Sequence, residues 1–205
     1  NINNLKKTAL SLAEKGYWVF RMGKGVAETF DVQHERIIDY ASSGFRSDFL
    51  DIWLFANCYL SVAGNPGIFM LTQVYRKPTC QINATQLQLQ GWLENRLIIF
   101  KKFFLINENR LMTFKEIFDS GANNYFHTHE FEEKGIQLVE NTPEEILDVS
   151  LEMVKRLEGT WREKAEDKEL QKAFRSLIPK SEYPIKFRAN IGSKFLIDNE
   201  YLLKT

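Results

Sequence analysis

Apolar residues at Leu5, Leu10, Leu12 and Ala13 fall near helical spacing, an asparagine precedes Leu5 as a cap, and Gly16 stands at C′, so the pattern predicts an amphipathic helix over 4–15. The aromatic and β-branched run at 17–20 reads as a short strand that opens through Arg21 into Met22-Gly23-Lys24-Gly25. A second short strand is expected at 36–40, closed by the polar turn at 41–44. Ser47 caps a helix with Asp48 and Asp51 in its first turn, where the helix dipole favours acids, and Phe49, Leu50, Trp53, Leu54 and Ala56 are its expected buried positions. A strand at 58–62, a tight loop at 63–67, a helix at 68–75 and a strand at 79–82 follow. That order is a βαβ unit, with a right-handed crossover and a parallel sheet.

Between 83 and 109 the pattern degrades into glutamines, Trp92 and an apolar run at 97–106 in which strand and helix readings compete. Thr113 and Glu116 form a capping box for a short helix to 119, ended by Gly121 and a polar turn at 122–124. An edge strand is expected at 136–139. Thr142-Pro143-Glu144-Glu145 combines an N-cap, a proline at N1 and a glutamate at N3, the clearest helix start in the chain, and that helix runs to about Leu157. Beyond Trp161 a charged helix at 163–169 is docked by Phe174, Leu177 and Ile178, an irregular turn fills 179–184, and a last helix covers 193–203. No repeat or low-complexity linker divides the chain. The elements therefore read as an α/β domain over 1–162 with a helical extension over 163–205 packed on it.

Composition narrows the functions this fold could serve. Among 205 residues, Lys plus Arg (27) balance Asp plus Glu (27), so no global field draws the protein to nucleic acid, and any anion site must be local. Apolar residues at 44% and charged residues at 26% suit a folded domain rather than a disordered one. Sixteen phenylalanines point to a core built on rings. Cys58 and Cys80 lie in apolar stretches, as buried thiols in a reducing compartment would. Neither a transmembrane-length apolar run nor a secretory leader is visible, so a cytoplasmic setting is expected. The sequence starts without methionine and enters a helical pattern at once, from which an extension of the natural protein toward its N-terminus is expected.

In an open parallel sheet, ligands bind beyond the carboxyl ends of the strands, where loops meet helix N-termini. Three loops compete for that edge: Arg21 with Gly23 and Gly25, the segment 42–48 with Arg46, and 63–67 with Gly64 and Gly67. Taken singly, each reads more readily as a structural turn; together they suit a diphosphate. Asp48 and Asp51 either reach a ribose or base or simply favour the helix dipole. His34 reads as a surface residue before a catalytic one. His127-Thr-His129-Glu130 has no second ligand cluster and reads as a solvated loop. Lys101-Lys102 is left without a role. Ser61 lacks the G-x-S-x-G elbow, so triad chemistry has no foothold.

The stretch from Arg46-Ser-Asp48-Phe-Leu-Asp51-Ile through Cys58-Tyr-Leu-Ser-Val-Ala-Gly64-Asn-Pro-Gly67 resembles the signature block of a bacterial family of glycosyltransferases associated with surface polysaccharide loci. Gly16-Tyr-Trp-Val-Phe-Arg21-Met-Gly23, Thr113-Phe-Lys-Glu-Ile117, Glu140-Asn-Thr-Pro-Glu-Glu-Ile146, Gly159-Thr-Trp161 and Phe195-Leu196 agree with it, so the similarity spans most of the chain. It departs at Asn65-Pro66, where the family usually carries a serine, so contacts to phosphate from this loop are expected from its backbone rather than from a hydroxyl. The resemblance implies the C-terminal, donor-binding half of a GT-B fold of fucosyltransferase-like architecture: a Rossmann-like parallel sheet flanked by helices with a helical C-terminal tail. It implies a nucleotide-diphosphate sugar donor held without metal or other cofactor by Arg21, Gly23, Arg46, Asp48, Asp51, Gly64, Asn65, Pro66 and Gly67. The implied partners are a glycan or lipid-linked acceptor and an N-terminal half of the same enzyme, with the protein peripheral at the membrane and no nucleic acid bound. A GT-B-type nucleotide-sugar epimerase and a non-enzymatic domain that binds a glycan or protein are the alternatives.

Overall fold

In the computed structural model, which describes residues 1–64, 67, 70–87, 93–180 and 186–204, the Asn1 side chain accepts from the Asn3 N–H and opens a 3-10 turn over Ile2–Leu5. The turn leads into α1 (Lys6–Glu14), and Gly16, at φ +95, lets the chain reverse into β1 (Val19–Phe20). Then come β2 (Ile37–Ile38), α2 (Asp48–Asn57), β3 (Ser61–Ala63), α3 (Met70–Val74), β4 (Thr79–Ala84), β5 (Arg96–Phe100), β6 (Lys102–Leu105) and β7 (Arg110–Leu111). The order continues with α4 (Phe114–Asp119), α5 (Thr128–Glu132), β8 (Ile136–Val139), α6 (Pro143–Leu157), α7 (Ala165–Leu177), β9 (Asn190–Ile191) and α8 (Ser193–Asp198).

Strands β3, β4, β5 and β9 form a parallel sheet in that spatial order, and β1 and β2 form a separate parallel pair. The molecule is thus a single α/β domain of generic Rossmann-like architecture, with a parallel sheet flanked by helices. The βαβ unit around α3 has the parallel pairing expected of it, Ser61 beside Thr79 and Ala63 beside Gln81. The start of its helix, 68–69, lies outside the described residues, as do Trp92 and residues 181–185 of the irregular turn.

The ambiguous run at 97–106 is two strands in two sheets. Every residue of β5 is buried, as in a strand covered on both faces, so it shows no alternation from which to read its period. After Phe100 the chain leaves the parallel sheet, the Lys101 N–H donates to the Ala84 carbonyl at 2.9 Å, and β6 enters an antiparallel sheet between β7 and β8. Of that second sheet, with β8 at its edge, the sequence pattern predicts only the strand at 136–139.

Rings fill the core. Phe174 of α7 stacks on Phe100 with centroids 5.4 Å apart and meets the edge of Phe114 of α4 at 5.1 Å, joining the C-terminal segment to the sheet. Strand β9, absent from the sequence reading, adds that same segment to the sheet beside β5. The final helix is also shorter than expected: Asn199 ends α8 by donating its side chain to the Phe195 carbonyl at 2.9 Å, and a 3-10 turn over Glu200–Leu203 follows.

Helix α2 starts where expected, with the Ser47 hydroxyl accepting from the Leu50 N–H, but it is turned about its axis relative to the expected burial. Asp51 and Phe55 face inward, whereas Phe49 (72% exposed) and Trp53 (51% exposed) face outward. An ion pair between Arg46 and Asp51 fixes this orientation.

Candidate functional site

The register Val19↔Ile37 and Phe20↔Ile38 places the first residue after β1, Arg21, beside the first residue after β2, Asp39. Arg21 donates from Nη1 to Asp39 Oδ1 at 3.0 Å and from Nη2 to the Glu28 carbonyl at 3.0 Å; Asp39 Oδ2 accepts the Phe30 N–H at 2.8 Å. Burial would raise the Asp39 carboxyl, but the Phe30 N–H, Ser42 and the Arg21 guanidinium outweigh it and hold it below the ordinary carboxylate range. The pair clasps the loop after β1 at both ends. Inside that loop a Cβ at Gly23 would stand 2.7 Å from Val26 Cγ1, so tight closure of the turn requires glycine there.

Arg46 sits just ahead of α2. Its Nη2 bonds Asp48 Oδ1 at 3.0 Å and also the buried Asp51 carboxylate, while its Nε and Asp51 Oδ1 are buried without a partner among the described residues. Tyr40 ties this segment to the end of β2: its hydroxyl accepts the Ser47 N–H at 3.0 Å and donates to the Ser47 carbonyl at 3.2 Å. Lys24, in the loop that Arg21 clasps, lies 3.9 Å from Asp48. The first two predicted loops therefore meet through a chain of charges, Lys24, Asp48, Arg46 and Asp51.

The third loop faces the first across a cavity of about 850 Å³. Arg21 and Met22 from the end of β1 and Ala63 and Gly64 from the end of β3 border it, and α1 and α2 supply its flanks. Tyr17 stacks on Tyr59 with centroids 5.7 Å apart, bridging the segments that lead into the two strands. The Tyr17 hydroxyl donates to Glu158 at 2.9 Å, and burial together with that carboxylate pushes its phenol up to about 12. A smaller cavity, about 160 Å³, lies at the amino ends of β4, β5 and β9, away from these loops.

Of the residues singled out in the sequence, Arg21, Gly23, Arg46, Asp48 and Asp51 thus belong to two linked loops, and Gly64 borders the same cavity as Arg21. Gly67 is exposed in the turn before α3, and Asn65 and Pro66 lie outside the described residues. His34 is half-buried, its Nδ1 accepting the Arg36 N–H at 3.1 Å. His127 and His129 stand at the start of α5, with rings stacked at 5.6 Å, rather than in a loop. Among the described residues no group of three or more His, Cys, Asp or Glu side chains could hold a metal ion. Lys101 and Lys102 face Glu140 (3.8 Å) and Glu145 (2.6 Å). Cys80 is fully buried and burial pushes its thiol well up; Cys58 is half-buried, with its thiol raised by the same cause.

Two groups escaped the sequence reading. Asp39 fell inside the strand expected at 36–40; β2 ends at Ile38, and only the register reveals that Asp39 faces Arg21. Tyr40 carried no signal, because its bonds to Ser47 depend on how the loop folds back. No protein-family model, curated protein or solved structure matches this chain. Among the described residues no helix is long and apolar enough to cross a membrane.

Proposed function

We propose that this chain binds a nucleotide-diphosphate sugar at the carboxyl rim of β1 and β3 and acts as the donor half of a metal-independent GT-B glycosyltransferase in bacterial surface-polysaccharide assembly. The observation that carries the reading is the Arg46 cluster at the N-terminus of α2. Asp51 is buried and aligns the guanidinium, whereas the Asp48 side chain is 82% exposed and can give up its place to a phosphate oxygen at little cost. Arg46 would then hold the diphosphate with Nη2 and its unpartnered Nε, and the α2 dipole and Lys24 would add positive potential. As the nucleoside diphosphate departs, negative charge grows on its oxygens, and fixed guanidinium donors stabilise that charge more in the transition state than in the ground state.

Arg21 takes a different part. Both of its Nη atoms are already engaged, so it shapes the loop that presents Lys24 and offers only Nε to a ligand. Gly23 permits the close turn, and Gly64, Asn65 and Gly67 would contribute backbone N–H groups from the third loop, with Pro66, which has no N–H to give, between them. The acceptor, glycan or lipid-linked, would approach from the side of the N-terminal half implied by the resemblance.

Isothermal titration with uridine, guanosine, cytidine and thymidine diphosphates and their sugars tests the reading. Binding to one of them, weakened at least about tenfold by Arg46→Ala and less by Arg46→Lys, is the expected result for loss of a charge-assisted contact. No affinity for any nucleotide in a chain that includes the upstream region would favour the non-enzymatic alternative, and isomer exchange without transfer would favour the epimerase.

A further inference from the structure

The cavity beneath the proposed donor rim has a chemistry of its own. Its walls are hydrocarbon: Leu5 of the 3-10 turn with Ala9 and Leu12 of α1 face Leu54, Leu60 and Val62 from α2 and the β3 segment. Its volume, about 850 Å³, lies within the range of small-molecule sites, far above a packing defect. Trp18, Phe20, Trp53 and Tyr59 line it and are also 39% to 60% exposed, so aromatic rings border the entrance. Such rings suit the boundary between an apolar interior and water.

Two of the lining residues hold buried polar atoms just behind this surface. Thr8, 2% exposed, presents a buried hydroxyl without a partner among the described residues, and the buried Arg21 Nε–H likewise has none. An unpaired buried hydroxyl is costly, and a ligand oxygen that reaches it removes that cost. A purely hydrocarbon ligand would leave both donors unsatisfied. A diphosphate would be placed in hydrocarbon.

We infer that this cavity binds a single hydrocarbon chain bearing one oxygen-containing head, the chain lying among the α1 and β3 aliphatic side chains and the head accepting from the Thr8 hydroxyl or Arg21 Nε–H. The inference goes beyond the nucleotide reading and stands on the lining of the cavity rather than on the Arg46 cluster, with Arg21 common to both. A free fatty acid or fatty alcohol and the acyl chain of a lipid-linked acceptor share this chemistry.

Tryptophan fluorescence provides the assay, because Trp18 and Trp53 stand at the entrance. Octanoate, decanoate, dodecanoate and tetradecanoate are titrated below their micelle thresholds, with dodecanol as the uncharged counterpart and phosphatidylcholine vesicles as the lipid-borne source of the same chain. Affinity should rise about fourfold for each added methylene and level off once the cavity is full. Thr8→Val should weaken dodecanol or dodecanoate binding about three- to tenfold and raise the melting temperature of the ligand-free protein, since it removes the unpaired hydroxyl. Ala9→Leu should bring the levelling to a shorter chain. Val62→Phe, on the opposite wall, gives the same test should the α1 variant not fold. Chain binding should survive Arg46→Lys, which separates its failure from failure of the nucleotide site. A response to vesicles that Ala9→Leu or Val62→Phe abolishes identifies a lipid as the source of the chain. No dependence on chain length, or binding unchanged by both filling variants, shows adsorption to the exposed rings and overturns the inference.

Discussion

Asn83 and Asn141 exchange hydrogen bonds in both directions: the Asn83 N–H donates to Asn141 Oδ1 at 2.6 Å, and the Asn141 N–H donates to Asn83 Oδ1 at 2.7 Å. Asn83 adopts φ +54 within β4, at the point where its register with β5 shifts. Asn141 also donates its side-chain amide to the Phe100 carbonyl at 2.8 Å, so one buried residue joins the ends of two strands to the start of α6. Asn141→Ala leaves the Asn83 N–H and the Phe100 carbonyl without these partners. The expected cost is about 3 kcal/mol, read from the denaturant midpoint at unchanged slope.

Gly192 occupies the other close approach at this sheet. A Cβ there would lie 3.0 Å from Ile99 Cγ2 and 3.1 Å from Val149 Cγ2. Gly192→Ala should therefore destabilise by about 1–3 kcal/mol through overpacking, and a second change, Val149→Ala, should recover part of the loss. Thermal unfolding of the single and double variants checks the sign of that coupling.

Glu116 accepts two bonds from Arg110 and one from the Thr113 N–H. The Arg110 guanidinium is the main cause that brings the Glu116 carboxyl down from 4.5 to about 2. A folded value below the unfolded one means that this stabilisation is complete above about pH 4.5 and is lost as pH falls toward about 2. Arg110→Ala should consequently destabilise at neutral pH and converge with the parent protein in acid. Both side chains are more than a third exposed, so added salt should shrink the difference at neutral pH. Urea unfolding across that pH range reads the convergence directly.

Arg46 and Asp51 should behave as a coupled pair. Arg46→Ala strands a buried carboxylate, whereas the double variant Arg46→Ala/Asp51→Ala removes both charges, so the double should be more stable than the Arg46→Ala single. A double-mutant cycle in guanidinium chloride measures the coupling. The same cycle repeated for nucleotide affinity should show no rescue, because restored stability does not restore the guanidinium.

Local chemistry made several parts of this molecule legible in advance. Ser47, Thr113 and Thr142 each cap their own helix through bonds that span three residues, and the glycine at 16 ends α1, so these boundaries follow from neighbours in sequence alone. The parallel βαβ unit at 61–84 was readable for the same reason: its strands and loop punctuate the chain in order. The inward face of α2 was not, since Asp51 is buried by a partner five residues away whose loop must first fold back. Strand β9 was not, since two residues acquire strand geometry only by pairing with β5. Of the candidate site, the arginines and glycines are present as residue types in the sequence; that Arg21 is clasped by Asp39, that Lys24 approaches Asp48 and that Thr8 lies in the wall of a cavity were decided by tertiary structure. Caps and turns are settled within a few bonds of the backbone, whereas ion pairs across loops and unfilled volume arise only when distant segments are brought against one another.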